Sequence, residues 1–329
     1  MQRRSFGNSG LECSAVGFGT WALGSDWWGE HEDPDLLVGR ALELGITLFD
    51  TSDVYGQGLN EELVGAALKR TGTPRDQLQI ATKFGYVIER ERLAHEESER
   101  PQDWSGAHAR RALEASLRRL DTDYVDLYQL HNPRMDAIED DELFVELDAL
   151  VAEGKVRHYG VALGPKIGWR DEGVRALRER EITSLQTVYN LLEQEPGAEF
   201  LAIAERRGSA ILARVPTSSG LLEGHLRADS IFEGNDHRRH RPRSWLVEGL
   251  RKVEQLDFLT RDGERTLAQA AYQFILAQPA IGCVLHTVTT RAELEEWAGA
   301  TEAPPLGDSE LSRIAELYQS GFGLAVTAP

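Results

Sequence analysis

The stretch Thr47-Leu48-Phe49-Asp50-Thr51-Ser52-Asp53-Val54-Tyr55-Gly56 sets the reading of the whole chain. A short apolar run ends on an acid, a polar loop follows, and a tyrosine stands before a glycine. Asn60-Glu61-Glu62 then reads as an N-cap with acids in the first turn of a helix over Glu61–Lys69. This is one strand–loop–helix unit, and the same unit recurs along the sequence. The apolar runs are Ala15–Phe18, Thr47–Phe49, Leu78–Ala81, Tyr124–Leu130, Val156–Val161, Ser184–Val188, Ala210–Ala213 and Gly282–Leu285. The amphipathic stretches are Asp35–Leu44, Glu61–Lys69, Ala107–Leu120, Asp140–Glu153, Gly173–Arg180, Ala198–Arg206, Thr266–Ala277 and Arg291–Trp297. Eight strands alternating with eight helices predict parallel βαβ units. Asp35 and Thr266 are expected to open their helices as Asn60 does.

Such an alternation builds either an open doubly wound sheet or a closed barrel. An open dinucleotide fold needs Gly-x-Gly-x-x-Gly between its first strand and first helix. The first strand here gives Gly17-Phe18-Gly19-Thr20-Trp21, which lacks the third glycine and does not run straight into a helix. The expectation is therefore an α/β protein, a (β/α)8 TIM barrel, occupying residues 1–329 as one domain. Arg3 to Glu12, centred on Gly7-Asn8-Ser9-Gly10, reads as a β-hairpin preceding it. Ser244–Leu259 and Asp308–Tyr318 read as two additional helices.

Composition narrows the function. No stretch has the 18 or more apolar residues of a membrane span, and the N-terminal residues lack a signal peptide's apolar core. The expected location is the cytoplasm, where Cys13 and Cys283 stay reduced. A net charge of −18 argues against a nucleic-acid partner, and no Cys/His cluster has zinc spacing, so no metal is expected. The acid excess with only five lysines fits adaptation to salt and a GC-rich genome equally.

Barrel enzymes place their chemistry at the C-terminal ends of the strands. Three consecutive ends here are Asp50-Thr51-Ser52-Asp53-Val54-Tyr55, Ala81-Thr82-Lys83 and Leu130-His131-Asn132. One rim thus receives an acid, an amine and an imidazole, with a phenol just beyond the first strand. Reducing a carbonyl requires hydride on carbon and a proton on oxygen. An ammonium beside a phenol stabilises its phenolate form, so Lys83, held by Asp50, would tune Tyr55 as general acid. His131 would orient the carbonyl oxygen. Each residue alone has a structural explanation; their joint placement favours chemistry.

These segments, with Ala81-Thr82-Lys83-Phe84-Gly85 and the run from Ser116 through Asp123-Tyr124-Val125-Asp126-Leu127-Tyr128-Gln129-Leu130-His131, resemble the aldo-keto reductase family from the hairpin to about Leu317. The resemblance implies a TIM barrel and an NAD(P)H-dependent oxidoreductase reducing an aldehyde or ketone, sugar-like substrates included. It implies Asp50, Tyr55, Lys83 and His131 as the catalytic residues. NADP is the expected cofactor, with NAD as the alternative, and the partner is a small carbonyl or alcohol molecule. Its cofactor-binding positions fall on Gly19, Thr20, Trp21, Asp50, Gln186, Arg214, Leu221, Thr289, Arg291 and Glu296. Trp21, Trp27 and Trp28, with Tyr55 and His131, would wall the substrate pocket.

The cofactor half departs from the family pattern. The usual Gly-Val-Ser-Asn is Gly160-Val161-Ala162-Leu163, leaving Gln186 to hold the carboxamide. Arg214 stands where an aromatic usually stacks on nicotinamide, and Thr290 where a cation often meets the 2′-phosphate. His286-Thr287-Val288-Thr289 replaces the usual Pro-Gly-Ala. Weaker nicotinamide binding follows, with Arg214 or loop arginines compensating at the phosphates. A non-redox lyase or isomerase, or a regulatory nucleotide-binding protein, remains the alternative. Loop 225–243 carries Arg227, His237, Arg238, Arg239, His240, Arg241 and Arg243, and reads equally as an anion clamp or as a solvated loop.

Overall fold

The computed structural model describes residues 1–329 except 25–29, 89–99, 165–168, 235, 261–262 and 325–329. The chain opens with an antiparallel hairpin of β1 (Arg3–Ser5) and β2 (Glu12–Ser14), two residues longer on its second strand than expected. Eight further strands close a barrel: β3 (Val16–Gly19), β4 (Leu48–Asp50), β5 (Gln79–Phe84), β6 (Val125–His131), β7 (Val156–Ala162), β8 (Ser184–Val188), β9 (Ala210–Arg214) and β10 (Ile281–Thr287). Every neighbouring pair is parallel, and β10 pairs with β3 to complete the ring. The (β/α)8 barrel with an N-terminal hairpin is the fold that the alternation called for.

Side chains along a strand alternate between faces. Phe49, Ile80 and Tyr128 point outward and join the large core under the helices. Leu48, Ala81, Leu127, Leu212, Cys283 and Leu285 point inward, where they meet Phe6, Leu11 and Cys13 of the hairpin. The hairpin thereby plugs the N-terminal end of the barrel. Counting two residues onward from Leu48, Ala81, Leu127 and Leu212 reaches Asp50, Lys83, Gln129 and Arg214. An apolar inner layer is thus capped by a polar one at the C-terminal mouth.

The helices follow the expected order: α1 (Pro34–Glu43), α2 (Leu59–Thr71), α3 (Gly106–Leu120), α4 (Met135–Glu139), α5 (Asp141–Ala152), α6 (Arg170–Glu179), α7 (Gly197–Arg207), α8 (Arg243–Glu254), α9 (Leu267–Leu276), α10 (Arg291–Gly299) and α11 (Asp308–Gln319). Helices α8 and α11 are the two additional ones. Thr266 caps α9 in a capping box with Gln269, as expected. Two cap assignments change. Asp33, not Asp35, caps α1, because Pro34 already occupies the first helical position. Asn60 is no cap: α2 begins at Leu59 after Gly58 in the left-handed conformation (φ 97°), and Asn60 turns inward to full burial. Helix α4 was not anticipated. Helix α8 stops short of Leu259 because the hydrogen bond at Gln255 tightens onto Lys252. Among the described residues no helix is long and apolar enough to cross a membrane, and no group of three or more His, Cys, Asp or Glu is placed to hold a metal. Cys13 and Cys283 are both free and buried.

One guanidinium fastens the plug. Arg4 donates from Nε to the Ile281 carbonyl at 2.7 Å, from Nη1 to Leu276 at 3.0 Å and from Nη2 to Gln278 at 3.0 Å. These carbonyls end α9 and start β10, so a cation there also meets the negative end of a helix. Arg4→Ala removes three charge-assisted bonds and should lower unfolding stability by about 3 kcal/mol, read as a shifted urea midpoint. A midpoint equal to the parent's would show that the hairpin is not fastened this way.

Candidate active site

Lys83 is 1% exposed on the inner face of β5. Its Nζ donates to Asp50 Oδ2 at 2.6 Å, to the Thr51 carbonyl at 2.7 Å and to the Tyr55 hydroxyl at 3.4 Å. Burial works against the ammonium, but Asp50 and Tyr55 outweigh it, so Lys83 holds its proton above the ordinary lysine range. Gln129, fully buried on β6, donates to the second Asp50 oxygen, Oδ1, at 3.0 Å. The carboxylate is therefore held from both sides.

Tyr55 stands beyond β4 with Trp21 stacked on one side, ring centroids 6.0 Å apart. His131 meets it edge-on at 5.8 Å. Gly56 lets this loop close: its φ is +53°, and a Cβ there would lie 2.5 Å from the Gly24 carbonyl oxygen. The His131 Nδ1 lies 3.0 Å from Ser52 Oγ. Burial, then the charges of Lys83 and Arg214, push the imidazole well below the ordinary histidine range. His131 is accordingly neutral at neutral pH. Ser52 Oγ donates to Asp53 Oδ1 at 3.3 Å, so the hydroxyl links His131 to the loop after β4 and fixes the ring's position. Tyr86 packs on the His131 ring at 5.2 Å and accepts a 2.8 Å bond from Asn132. The expected quartet of Asp50, Tyr55, Lys83 and His131 is thus gathered at one point of the mouth.

Asn60 supports this arrangement from behind. Its amide donates to the Thr20 and Leu23 carbonyls at 2.6 and 2.5 Å. Its Oδ1 accepts from Thr20 Oγ1 at 2.7 Å and Thr51 Oγ1 at 2.6 Å. One buried amide thereby ties the loops after β3 and β4 together. Ser52 and Gln129 escaped the sequence reading, in which Asn60 is a helix cap. Gln129 carried a usable signal, two residues before His131 on an alternating strand. Ser52 and Asn60 act across loops and carried none.

A cavity of about 690 Å³ opens from this centre across the barrel mouth. Gly19, Thr20, Trp21, Asp50, Gln186, Arg214 and Thr289 all stand on its wall, as do Tyr55 and His131. Gly19 is required there, since a Cβ would sit 2.7 Å from the His286 carbonyl oxygen. Three expected positions lie elsewhere. Leu221 is buried under the wall, with its methyls against Gly249 of α8, while its neighbours Ser219 and Gly220 face the cavity. Arg291 is paired with Glu32 at 2.7 Å. Glu296 accepts a hydrogen bond from Thr266. Thr290 caps α10 in a capping box with Glu293. Trp27 and Trp28 lie outside the described residues.

Loop 225–243 divides its cations between two tasks. Arg227, Arg239 and Arg243 donate to carbonyls of their own loop, at Gly224, Gly234 and Ser230. Arg238 and Arg241 line the cavity; Arg238 is forked onto Asp236, and Arg241 reaches Ser219 Oγ at 3.3 Å. The cavity's far end carries carboxylates. Glu223 accepts from Thr217 at 2.7 Å, and burial raises it above the usual carboxylate range. Glu293 accepts from Thr289 Oγ1 at 2.7 Å. His286 stacks on Trp297 at 3.4 Å and meets the Tyr272 hydroxyl at 2.7 Å.

The inner wall fits a nicotinamide. Gln186 is 4% exposed, faces the cavity, and its amide nitrogen has no partner. A buried donor without an acceptor costs about 1–3 kcal/mol, so this position awaits a carbonyl such as that of a carboxamide. Fold and site together define a carbonyl reductase that uses a nicotinamide cofactor on a parallel barrel.

Comparison with known proteins agrees. The sequence pattern of the Aldo/keto reductase family matches residues 15–319. The chain is 34% identical over 311 residues to aldo-keto reductase YhdN of Bacillus subtilis, covering 90% of this chain and 87% of that one. Among solved structures, the holo form of aldo-keto reductase AKR11C1 from Bacillus halodurans superposes with a TM-score of 0.77 at 30% identity, over 96% of both chains. The glycerol dehydrogenase AKR11B4 from Gluconobacter oxydans superposes at 0.81 with 25% identity, over 99% of this chain and 98% of that one. The chain belongs to the aldo/keto reductase family. It is an NAD(P)H-dependent oxidoreductase acting on small-molecule carbonyls.

The far end of the cavity also sets a pH dependence. Burial lowers His286 from 6.5 to about 3. Its folded-state pKa lies below its unfolded one, so the unfolded chain binds the extra proton first. Stability from this group is complete above pH 6.5 and lost as pH falls toward 3. From pH 6.5 to 5 the loss should be about 2 kcal/mol, and His286→Phe should flatten that part of a urea-unfolding pH series. An unchanged slope in the variant would show that His286 is not the group responsible.

Proposed function

We propose that Tyr55 is the general acid of this reductase, Lys83 and Asp50 its tuning pair, and His131 the group that orients the substrate oxygen. The contact that carries this reading is Lys83 Nζ, 2.6 Å from Asp50 and 3.4 Å from the Tyr55 hydroxyl. The bound reduced nicotinamide supplies hydride to the carbonyl carbon. Tyr55 supplies the proton to the carbonyl oxygen, and the negative charge left on the phenol falls beside an ammonium that cannot move away. Asp50 prevents Lys83 from pointing elsewhere, and Gln129 prevents Asp50 from doing so. His131, neutral and held in place through its Nδ1 contact with Ser52, orients the same oxygen. Trp21 and Tyr86 exclude water from the two sides of the corner.

For the cofactor we propose Gln186 at the carboxamide, with Gly19, Thr20, Asp50 and Thr289 as further wall positions. Gln186→Leu should weaken binding of the reduced nucleotide about tenfold, measured by calorimetry. The finer choice of NADP(H) over NAD(H) rests on Arg238 and Arg241, whose guanidinium groups stand on the cavity wall. Glu223 and Glu293 weigh against it, because a 2′-phosphate placed near them would be repelled. Dissociation constants for the two nucleotides, compared in one buffer, decide the choice. The buried free thiols Cys13 and Cys283 support a reducing compartment, the cytoplasm, as the site of action.

Tyr55→Phe removes the proton donor and little else. Its kcat should fall at least about 100-fold while its nucleotide affinity stays within a small factor of the parent's. A folded Tyr55→Phe protein that turns over normally would falsify the assignment.

A further inference from the structure

The charges at the reaction corner do not balance. Lys83 is matched by Asp50, and His131 is neutral. Arg214 remains. It ends β9 on the inner face and stands on the cavity wall. Its one hydrogen bond among the described residues runs from Nη2 to the Leu163 carbonyl at 2.9 Å. Its Nε is buried without a partner, and no described carboxylate lies within salt-bridge distance of the guanidinium. Three groups act on it through space: Tyr55, Asp50 and Glu193. Asp50 is spent on Lys83 and Gln129, and Glu193 on Asn190 at 2.9 Å and Ser218 at 3.0 Å. The Arg214 charge in turn reaches His131. Arg100 stands on the same wall. A chain with net charge −18 therefore presents an unmatched cation where its reaction takes place.

We propose that the natural substrate carries an oxyanion within a few atoms of its reducible carbonyl, and that Arg214 binds it. This rests on the reductase reading above. A guanidinium is planar and forked, and it recognises a carboxylate through two parallel N–H donors. A partly buried guanidinium with an idle N–H also has no competing internal carboxylate to displace. The carbonyl oxygen sits between Tyr55 and His131, and the anion lies toward β9. Reduction adds hydride to the carbonyl carbon and the Tyr55 proton to its oxygen. The product is a hydroxy acid, and the carboxylate passes through unchanged. The Leu163 carbonyl holds the guanidinium in place, so the anion fixes the position of the carbonyl. The same chemistry would accept a phosphate ester in place of the carboxylate.

The experiment compares matched substrates. Benzoylformate is set against its methyl ester, 4-carboxybenzaldehyde against its methyl ester, and glyceraldehyde 3-phosphate against glyceraldehyde. Oxidation of the reduced nucleotide is followed for the parent, Arg214→Gln and Arg214→Lys. The parent should favour the charged member of at least one pair, and that pair identifies carboxylate or phosphate. In Arg214→Gln the charged-to-neutral ratio of kcat/KM should fall about 30-fold or more, with Arg214→Lys in between. Equal kcat/KM for charged and neutral partners in the parent overturns the proposal, as does a ratio that Arg214→Gln leaves unchanged. Calorimetric titration of benzoylformate and of inorganic phosphate into the nucleotide-loaded protein separates this from the reductase reading. An anion that binds the parent but not Arg214→Gln, with no turnover of any substrate, supports the anion site and sinks the reductase reading. No binding of either anion to the parent, with the neutral substrates reduced, sinks the anion site alone.

Discussion

Lys83 and Asp50 hold opposite charges 2.6 Å apart where almost no water reaches them. Burying either ion alone costs several kcal/mol, and losing one partner of such a pair is typically worth about 3–5 kcal/mol. The structure around them answers that cost. The Thr51 carbonyl and the Tyr55 hydroxyl take up the remaining lysine protons, while Gln129 occupies the second carboxylate oxygen. These partners come from β4, its following loop and β6, so the pair also ties one side of the barrel mouth together. The phenol is positioned as part of the same satisfaction of charge. Under the proposed mechanism function and stability share these contacts, so a change made for one alters the other.

The barrel makes this arrangement available through strand periodicity. Inward positions alternate along each strand, and the lower inward layer is apolar and plugged by Phe6, Leu11 and Cys13. The next inward layer is polar and opens to the cavity. The hairpin packs against the lower end of the barrel, and the cavity opens at the other end, where a substrate and cofactor would sit. Electrostatic interactions in such a setting are stronger than at a surface, which is why Arg214 can influence His131 without touching it. The cavity wall carries charge of both signs: Arg214, the pair Arg238 and Arg241 of loop 225–243, and the carboxylates Glu223 and Glu293.

Departures from the family pattern acquire physical content in this frame. Ala162 and Leu163 withdraw two polar side chains from the cavity wall, yet the Leu163 carbonyl still anchors Arg214. That bond holds Arg214 on the cavity wall, at the position where the sequence reading expected an aromatic over the nicotinamide. Arg291 stands beside the expected cation position but is committed to Glu32, and Thr290 is committed to its helix cap. Under the proposed function, cofactor recognition falls to Gln186, the other wall positions and the arginines of loop 225–243.

The sequence by itself determined the barrel, the hairpin and the quartet at its rim. Strand alternation and helix periodicity are local properties, and β4, β5 and β6 each end on a chemically telling residue, so parallel closure alone brings Asp50, Lys83 and His131 together. Helix caps were legible where the capping chemistry is local, as at Thr266, and misread at Asn60, whose partners come from other loops. Only the tertiary structure decided that Ser52 meets the His131 ring, that Leu221 lies under the cavity wall, and that Arg214 is left without a counter-ion among the described residues. An ion pair or a buried amide is defined by both of its ends. Sequence displays one end at a time, and folding decides which distant groups meet it and which charge is left over.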